Sequence, residues 1–348
     1  MTGTPVLPSS PFRIEFEVTG VCNLNCVYCY AKPFNKIVPT LERIEYLFKK
    51  TKEEANPFEV VILGGEPFTR KDIVDVLEKA MAAFECNRVG VSTNGTILSK
   101  LTRDDIDRLR RIVDKGLSIQ VTLDSIKPEI NDITRGKTIE TLEGLETLKN
   151  AKIPFTVGIV LTKINEWDVV NTVTWLGNNF PNLVHFNLEV LQPTFILGNR
   201  YDEFRLTSKK MREIYGAVKD TLITIGRQDI GVSGVIDNCD NIQKDVDPLI
   251  DSYGFKTCLA GLTRAGVCPN GTVTPCTTIR TVNLGNVYFE SWTEIWEKAK
   301  ERFLNLEFGG QCSINKSIRD ENPSLIDAKD IPILIRKENQ QKVKIAGL

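Results

Sequence analysis

Cys22, Cys26 and Cys29 stand at C-x3-C-x2-C spacing, which lets one loop wrap three thiolates around a single metal centre. Asn23 and Asn25 lie between them, and asparagine tolerates the turns this needs. Three ligands are one fewer than a [4Fe–4S] cluster takes, so one iron keeps an open position for chemistry. Read alone, the same trio is also half of a zinc ribbon. Further on stands Gly64-Gly65-Glu66-Pro67, where two glycines let backbone approach a ligand closely. In isolation that segment is an ordinary strand-to-loop turn. A second group, Cys258, Gly271 and Cys276, has the spacing C-x12-G-x4-C, and Cys312 adds a distant ligand. Cys268 is the favoured fourth ligand, Cys239 the competitor, and a vacant iron that binds substrate the third option. Cys86, near the end of a predicted helix, reads as a core residue.

These residues need a scaffold. Six β-like runs, Arg13–Thr19, Phe58–Leu63, Arg88–Ser92, Leu117–Leu123, Phe155–Leu161 and Leu183–Leu191, alternate with helical stretches. In the second of those stretches Ile73, Val74, Leu77, Ala80, Met81 and Phe84 recur at helical spacing. Strand and helix in turn predict an α/β fold with a parallel sheet, a partial (β/α)6 barrel. The cysteine loop then follows the first strand, at the end of the barrel where sites form. The core is expected over 12–206 and a helical linker over 207–230, with Thr207–Ile225 as its helix. From Gly231 the chain turns rich in Gly, Asn, Asp and Pro, so a loop-rich iron–sulfur extension is expected over 231–320 and a tail over 321–348. Within that extension Val267–Val273 reads as a β-hairpin around Asn270-Gly271.

The chain has 348 residues, enough at roughly 150 residues per domain for about two domains and a sizeable core. With 44 Lys+Arg against 45 Asp+Glu, the net charge of -1 gives no electrostatic case for nucleic acid or an anionic membrane. No run approaches the roughly 18 apolar residues of a membrane span, and no secretory signal opens the chain, so a cytoplasmic location is expected. In that compartment thiols stay reduced, and nine cysteines read as metal ligands rather than as disulfides. One histidine, His185, excludes His-rich zinc sites and argues against a Ser-His-Asp hydrolase.

The cysteine loop followed by Gly64-Gly65-Glu66-Pro67, over about residues 12–200, resembles the radical SAM superfamily, and 258–312 resembles its SPASM/twitch extension. The resemblance implies that Cys22, Cys26 and Cys29 hold a [4Fe–4S] cluster and that S-adenosylmethionine chelates its open iron. Gly64, Gly65 and Glu66 would then lie along the methionyl end, and Tyr28 would present its backbone to the adenine. Asn94 in Ser92-Thr93-Asn94-Gly95, Ser125 after the fourth strand, Arg135, and Leu161 with Asn165 match family patterns more loosely. Ser125 is expected at the ribose and Arg135 at the carboxylate. Cys258, Cys268, Cys276 and Cys312 would carry one auxiliary [4Fe–4S] cluster, because the closing run of cysteines that a second one needs is missing.

The implied activity is reductive cleavage of S-adenosylmethionine to a 5′-deoxyadenosyl radical that abstracts hydrogen from substrate, with a ferredoxin- or flavodoxin-type donor. Peptide or protein maturation and cofactor or small-molecule biosynthesis rank close as its purpose. Only 21 residues precede Cys22, so no leader-binding domain is expected ahead of the barrel. An iron–sulfur electron carrier is the competing class, and a structural zinc protein is the third.

Overall fold

The computed structural model describes residues 8–31, 36–85, 87–192, 197, 200–234, 260–261, 263–280 and 282–303. Seven parallel strands follow one another in the sheet: β1 Arg13–Glu17, β2 Glu59–Leu63, β3 Arg88–Thr93, β4 Ser118–Thr122, β5 Phe155–Leu161, β6 Leu183–Val190 and β7 Gly231–Gly234. Between them run α1 Leu41–Glu54, α2 Ile73–Ala83, α3 Arg103–Asp114, α4 Pro128–Thr134, α5 Thr138–Asn150, α6 Val169–Asn179, α7 Tyr201–Phe204 and α8 Ser208–Thr224. Helix starts carry the expected chemistry: Thr40, Thr102 and Thr207 each accept a first-turn backbone N–H, from Arg43, Asp105 and Lys210.

On the far side of β1 the same sheet continues with β8 Arg264–Val267, which pairs with it in parallel. The antiparallel β9 Thr272–Thr274 and β10 Gly285–Asn286 complete it. The order is β10-β9-β8-β1-β2-β3-β4-β5-β6-β7, so among the described residues the sheet has two free ends and is a barrel that does not close.

Alternation decides what faces where. Ile14, Phe16, Val60, Ile62, Val89, Val91, Ile119, Val121, Val157 and Ile159 point outward into one apolar core with Leu47, Leu77, Leu109, Leu145 and Leu176 from the helices. The opposite, concave face carries Glu15, Glu17, Ser92, Gln120, Thr122, Thr156, Asn187 and Glu189. That face is polar, as a binding chamber requires and a sheet buried on both sides would not be.

Two expected boundaries move. The supposed linker is part of the barrel: Met211, Ile214, Val218 and Leu222 of α8 join the core, and the following Gly231–Gly234 pairs with β6. Nor does the C-terminal extension sit apart, since its strand Arg264–Val267 pairs alongside β1 in the same sheet. The hairpin forms as read, with Gly271 at φ +82° donating its N–H to the Cys268 carbonyl at 2.8 Å. Helix α9, Trp292–Phe303, then docks back: Trp292 Nε1 donates to Thr51 Oγ1 (3.0 Å) and Trp296 Nε1 to the Pro8 carbonyl (3.2 Å).

His185, half-buried at the start of β6, has its Nε2 2.7 Å from Ser233 Oγ. Burial lowers its pKa below 6.5, so the unfolded chain binds the proton more readily than the folded one. Stability therefore falls as pH drops from 6.5 toward the folded value, and it is unaffected above 6.5. With no other histidine in the chain, His185→Asn is expected to remove that acid-side slope in urea unfolding.

Candidate functional site

The three thiols sit on the loop that leaves β1, and neighbouring backbone pins the loop. Gly65 and Glu66 donate their N–H groups to the carbonyls of Thr19 (2.7 Å) and Val21 (2.8 Å). A Cβ on Gly64 would lie 2.4 Å from the Thr19 oxygen, and one on Gly65 2.2 Å from the Val21 oxygen and 3.0 Å from the Cys22 nitrogen. The glycine pair is thus required by contact with the cysteine loop itself. Val27 N–H donates to the Thr134 carbonyl (2.9 Å), and Cys26 Sγ lies 3.9 Å from the Arg135 carbonyl.

Cys22 is the most open of the three and Cys26 is buried. Burial pushes the Cys22 thiol up to about 11 even though Leu24 donates its N–H to the sulfur at 3.4 Å. Such a thiol ionises when a metal's charge compensates it, and binding then releases the proton. No three His, Cys, Asp or Glu side chains among the described residues converge on one metal ion. Three thiols on one loop supply one ligand fewer than a [4Fe–4S] cluster takes, which fits a cluster with one open iron.

The other expected contacts fall into two groups. Glu66 is buried, and its carboxylate accepts from Phe68 N (2.9 Å), Thr93 Oγ1 (2.6 Å) and Asn94 N (2.6 Å). Burial raises its pKa while those three donors oppose the rise. Asn94 gives its Nδ2 to Asn23 Oδ1 (2.9 Å) and takes Thr96 Oγ1 on its Oδ1 (2.7 Å), while Asn23 donates to Thr96 Oγ1 (2.7 Å). Both residues therefore hold the cysteine loop to the ends of β2 and β3.

The hydroxyl of Ser125, expected at a ribose, is fully buried and donates to Asp168 Oδ2 at 2.6 Å. Leu161, a candidate cofactor contact, ends β5 with its side chain in the outward core. Strand alternation turns Val160 inward instead, into a small cluster against Val27 and Tyr28. Tyr28 hydroxyl meets the Asp124 carboxylate and receives Arg135 Nη1 at 3.0 Å. Burial opposes the charge on Arg135, and Tyr28, Cys26 and Asp124 more than offset it, so the guanidinium stays protonated beside the thiols.

Asp124 holds this corner together. Besides Tyr28 it accepts from Thr134 Oγ1 (2.8 Å) and Val160 N (3.1 Å), and Asn165 Nδ2 donates to its carbonyl (3.0 Å). The motif Thr122-Leu123-Asp124-Ser125 is the one local signal in the sequence for this knot, and it does not name the partners.

Of the second group, Cys268 and Cys276 fall among the described residues; Cys258 and Cys312, with Cys239 and Cys86, lie outside them. Burial pushes Cys268 up to about 12. Cys276 Sγ lies 3.0 Å from Thr278 Oγ1. The segment between the two thiols is tied to β1, for Thr277 donates to Glu15 Oε2 (2.8 Å) and Arg280 forms a buried ion pair with Glu17. The Arg280 guanidinium also lies over the Tyr30 ring, 5.2 Å from its centroid. One strand thus carries the first cysteine loop at its end and holds the second cysteine segment along its length. Nothing local in the sequence marks Glu17 and Arg280 as partners.

Two family models match the chain, that of the radical SAM superfamily over residues 16–176 and that of SPASM, an iron–sulfur cluster-binding domain, over 258–319. The chain carries a radical SAM domain and a SPASM domain. It is a radical SAM enzyme that uses a [4Fe–4S] cluster and S-adenosylmethionine, with the SPASM domain for auxiliary iron–sulfur binding. It is 27% identical over 324 residues to the AdoMet-dependent heme synthase of Methanosarcina barkeri, covering 88% of this chain and 89% of that one. It is 25% identical over 295 residues to the subtilosin biosynthesis protein AlbA of Bacillus subtilis, covering 82% of this chain and 59% of AlbA. Streptococcus suis SuiB bound to S-adenosylmethionine shares the fold, with a TM-score of 0.66, 16% identity, and 83% of this chain against 66% of SuiB covered. No helix among the described residues is long and apolar enough to cross a membrane.

Proposed function

We propose that this radical SAM enzyme abstracts hydrogen from a peptide or protein substrate held on the concave face of its sheet. Cys22, Cys26 and Cys29 hold the first cluster, and Cys258, Cys268, Cys276 and Cys312 hold one auxiliary cluster. When bound, the first cluster and S-adenosylmethionine supply reductive cleavage of the sulfonium to methionine and a 5′-deoxyadenosyl radical. The chain's own work is to fix three thiolates, keep a protonated guanidinium at Arg135 for a carboxylate, and line the chamber. Gly64, Gly65, Glu66 and Asn94 act by holding the cysteine loop in register. The backbone of Tyr28 borders the adenine. A ferredoxin- or flavodoxin-type protein delivers the electron, in a cytoplasm whose reducing poise keeps the thiols free.

The observation that carries the reading is the three-cysteine loop clamped by the Gly64-Gly65-Glu66 turn. Support for a peptide comes from the likeness to AlbA, a bacteriocin biosynthesis protein, and from a sheet that has two free ends among the described residues. A second reading, cofactor biosynthesis, is favoured by the end-to-end match to the heme synthase.

Anaerobic incubation with S-adenosylmethionine and dithionite is expected to yield 5′-deoxyadenosine. A peptide encoded beside the gene should lose hydrogen by mass spectrometry under those conditions. Hydrogen loss from a tetrapyrrole precursor and from no peptide would establish the second reading in place of the first. Replacing Cys258 and Cys276 by alanine is expected to remove about four irons per chain and spare cleavage at the first site. Unchanged iron would refute the auxiliary ligand set.

A further inference from the structure

Glu189 on β6 is a carboxylate that the reading above does not use. On the concave face the other strand carboxylates have cationic partners: Glu15 and Glu59 pair with Arg13, and Glu17 pairs with Arg280. Among the described residues Glu189 has none. Its Oε1 accepts from two neutral amides, Gln120 Nε2 at 2.9 Å and Asn187 Nδ2 at 3.1 Å. Asn187 Nδ2 also bonds Gln120 Oε1 at 3.2 Å, closing a ring that fixes all three side chains. The second carboxylate oxygen, Oε2, has no hydrogen-bond partner among the described residues, and Glu189 shares its sheet face with Gln120 and Asn187.

The ring spans β4 to β6 across the top of β5, and the residue between is Gly158. A Cβ there would lie 2.8 Å from Gln120 Nε2 and 3.2 Å from Glu189 Oε1, so a side chain at 158 would fill the space the ring occupies. Ser233 Oγ, 3.4 Å from Asn187 Oδ1, and His185 behind it brace the far side. A carboxylate so placed is pre-oriented: its amide donors fix direction without neutralising its charge.

We infer that Glu189, oriented by Gln120 and Asn187, is the subsite that receives a cationic nitrogen of the substrate, an ammonium or guanidinium group. Burial raises the Glu189 pKa although Gln120 and the more distant Arg135 oppose it, so an arriving cation stabilises the ionised form and supplies the charge the site lacks. The inference deepens the proposed function, because it takes the concave face as the substrate chamber.

The test uses the reconstituted holoenzyme with S-adenosylmethionine and two isosteric probes, n-butylguanidinium and neutral n-butylurea, followed by saturation-transfer NMR titration. Saturable binding of the cation is expected, with butylurea at least about tenfold weaker. Glu189→Gln should weaken the cation by roughly tenfold, whereas Glu189→Asp, which keeps the charge, should retain most of the affinity. Equal binding of the two probes, no saturable binding of the cation, or an unchanged Glu189→Gln overturns the inference. The comparison of probes stands on the wild-type protein alone, so it decides the matter even if a variant fails to fold. Formation of 5′-deoxyadenosine in the same wild-type preparation separates the two claims. Its absence sinks the proposed function, and its presence without cation binding sinks the subsite alone.

Discussion

Gly65→Ala is expected to abolish most S-adenosylmethionine cleavage while leaving the barrel folded. The new Cβ would stand 2.2 Å from the Val21 carbonyl oxygen and 3.0 Å from the Cys22 nitrogen, both backbone atoms that no side-chain rotation can move aside. Relief requires the cysteine loop to shift by about 1 Å, and a displacement of that order costs roughly 100-fold in rate where reacting atoms must be aligned. The shift also breaks the Gly65 N–H bond to Thr19 and the Glu66 N–H bond to Val21. Iron at the first site and the rate of 5′-deoxyadenosine formation should fall together. Gly216→Ala on α8 is the control, since a Cβ there meets nothing within 4 Å. It should be neutral or stabilising by up to about 1 kcal/mol.

Asp124→Ala is expected to have the largest effect on stability. Its carboxylate joins the cysteine loop through Tyr28, helix α4 through Thr134 and strand β5 through Val160, all in buried surroundings. Alanine leaves the Tyr28 hydroxyl and the Val160 N–H short of an acceptor, leaves the Thr134 hydroxyl only the Asn131 carbonyl at 3.2 Å, and strips a neighbouring negative charge from Arg135. Removing one side of a buried charge network costs about 3–5 kcal/mol. Asp124→Asn keeps an acceptor for Val160 and should cost less. Urea unfolding of the reconstituted protein measures both, and equal stability of Asp124→Ala and wild type would show that the knot does not hold the corner.

The fold was legible where strands were long and apolar on one side. Phe155–Leu161 is the same segment in sequence and structure, and Arg88–Ser92 ends one residue early. Gly231–Gly234 escaped notice because two of its four residues are glycine, which weakens any strand signal. Its pairing with β6 comes from tertiary placement by α8, and that also explains why α8 read as a linker.

At the site, cysteine spacing announces the chemistry, because three thiolates so close have few other uses. Polar partners are harder to assign. Asn94, Ser125 and Glu66 stand in the sequence as candidate contacts of S-adenosylmethionine, but sequence alone does not say whether such a group faces a ligand or a neighbouring strand. Here all three bond the protein. The alternation in Ser118-Ile119-Gln120-Val121-Thr122 and His185-Phe186-Asn187-Leu188-Glu189 did carry the polar concave face in plain view.

Iron and 5′-deoxyadenosine measured on one anaerobic preparation of wild type and of the variant with Cys22, Cys26 and Cys29 all replaced by alanine bear most directly on the account. The prediction is a brown wild-type protein that cleaves S-adenosylmethionine with dithionite, and a variant that has lost about four irons per chain and all cleavage. A variant with the wild-type iron content, or a wild-type chain that binds zinc and leaves the sulfonium intact, would contradict it.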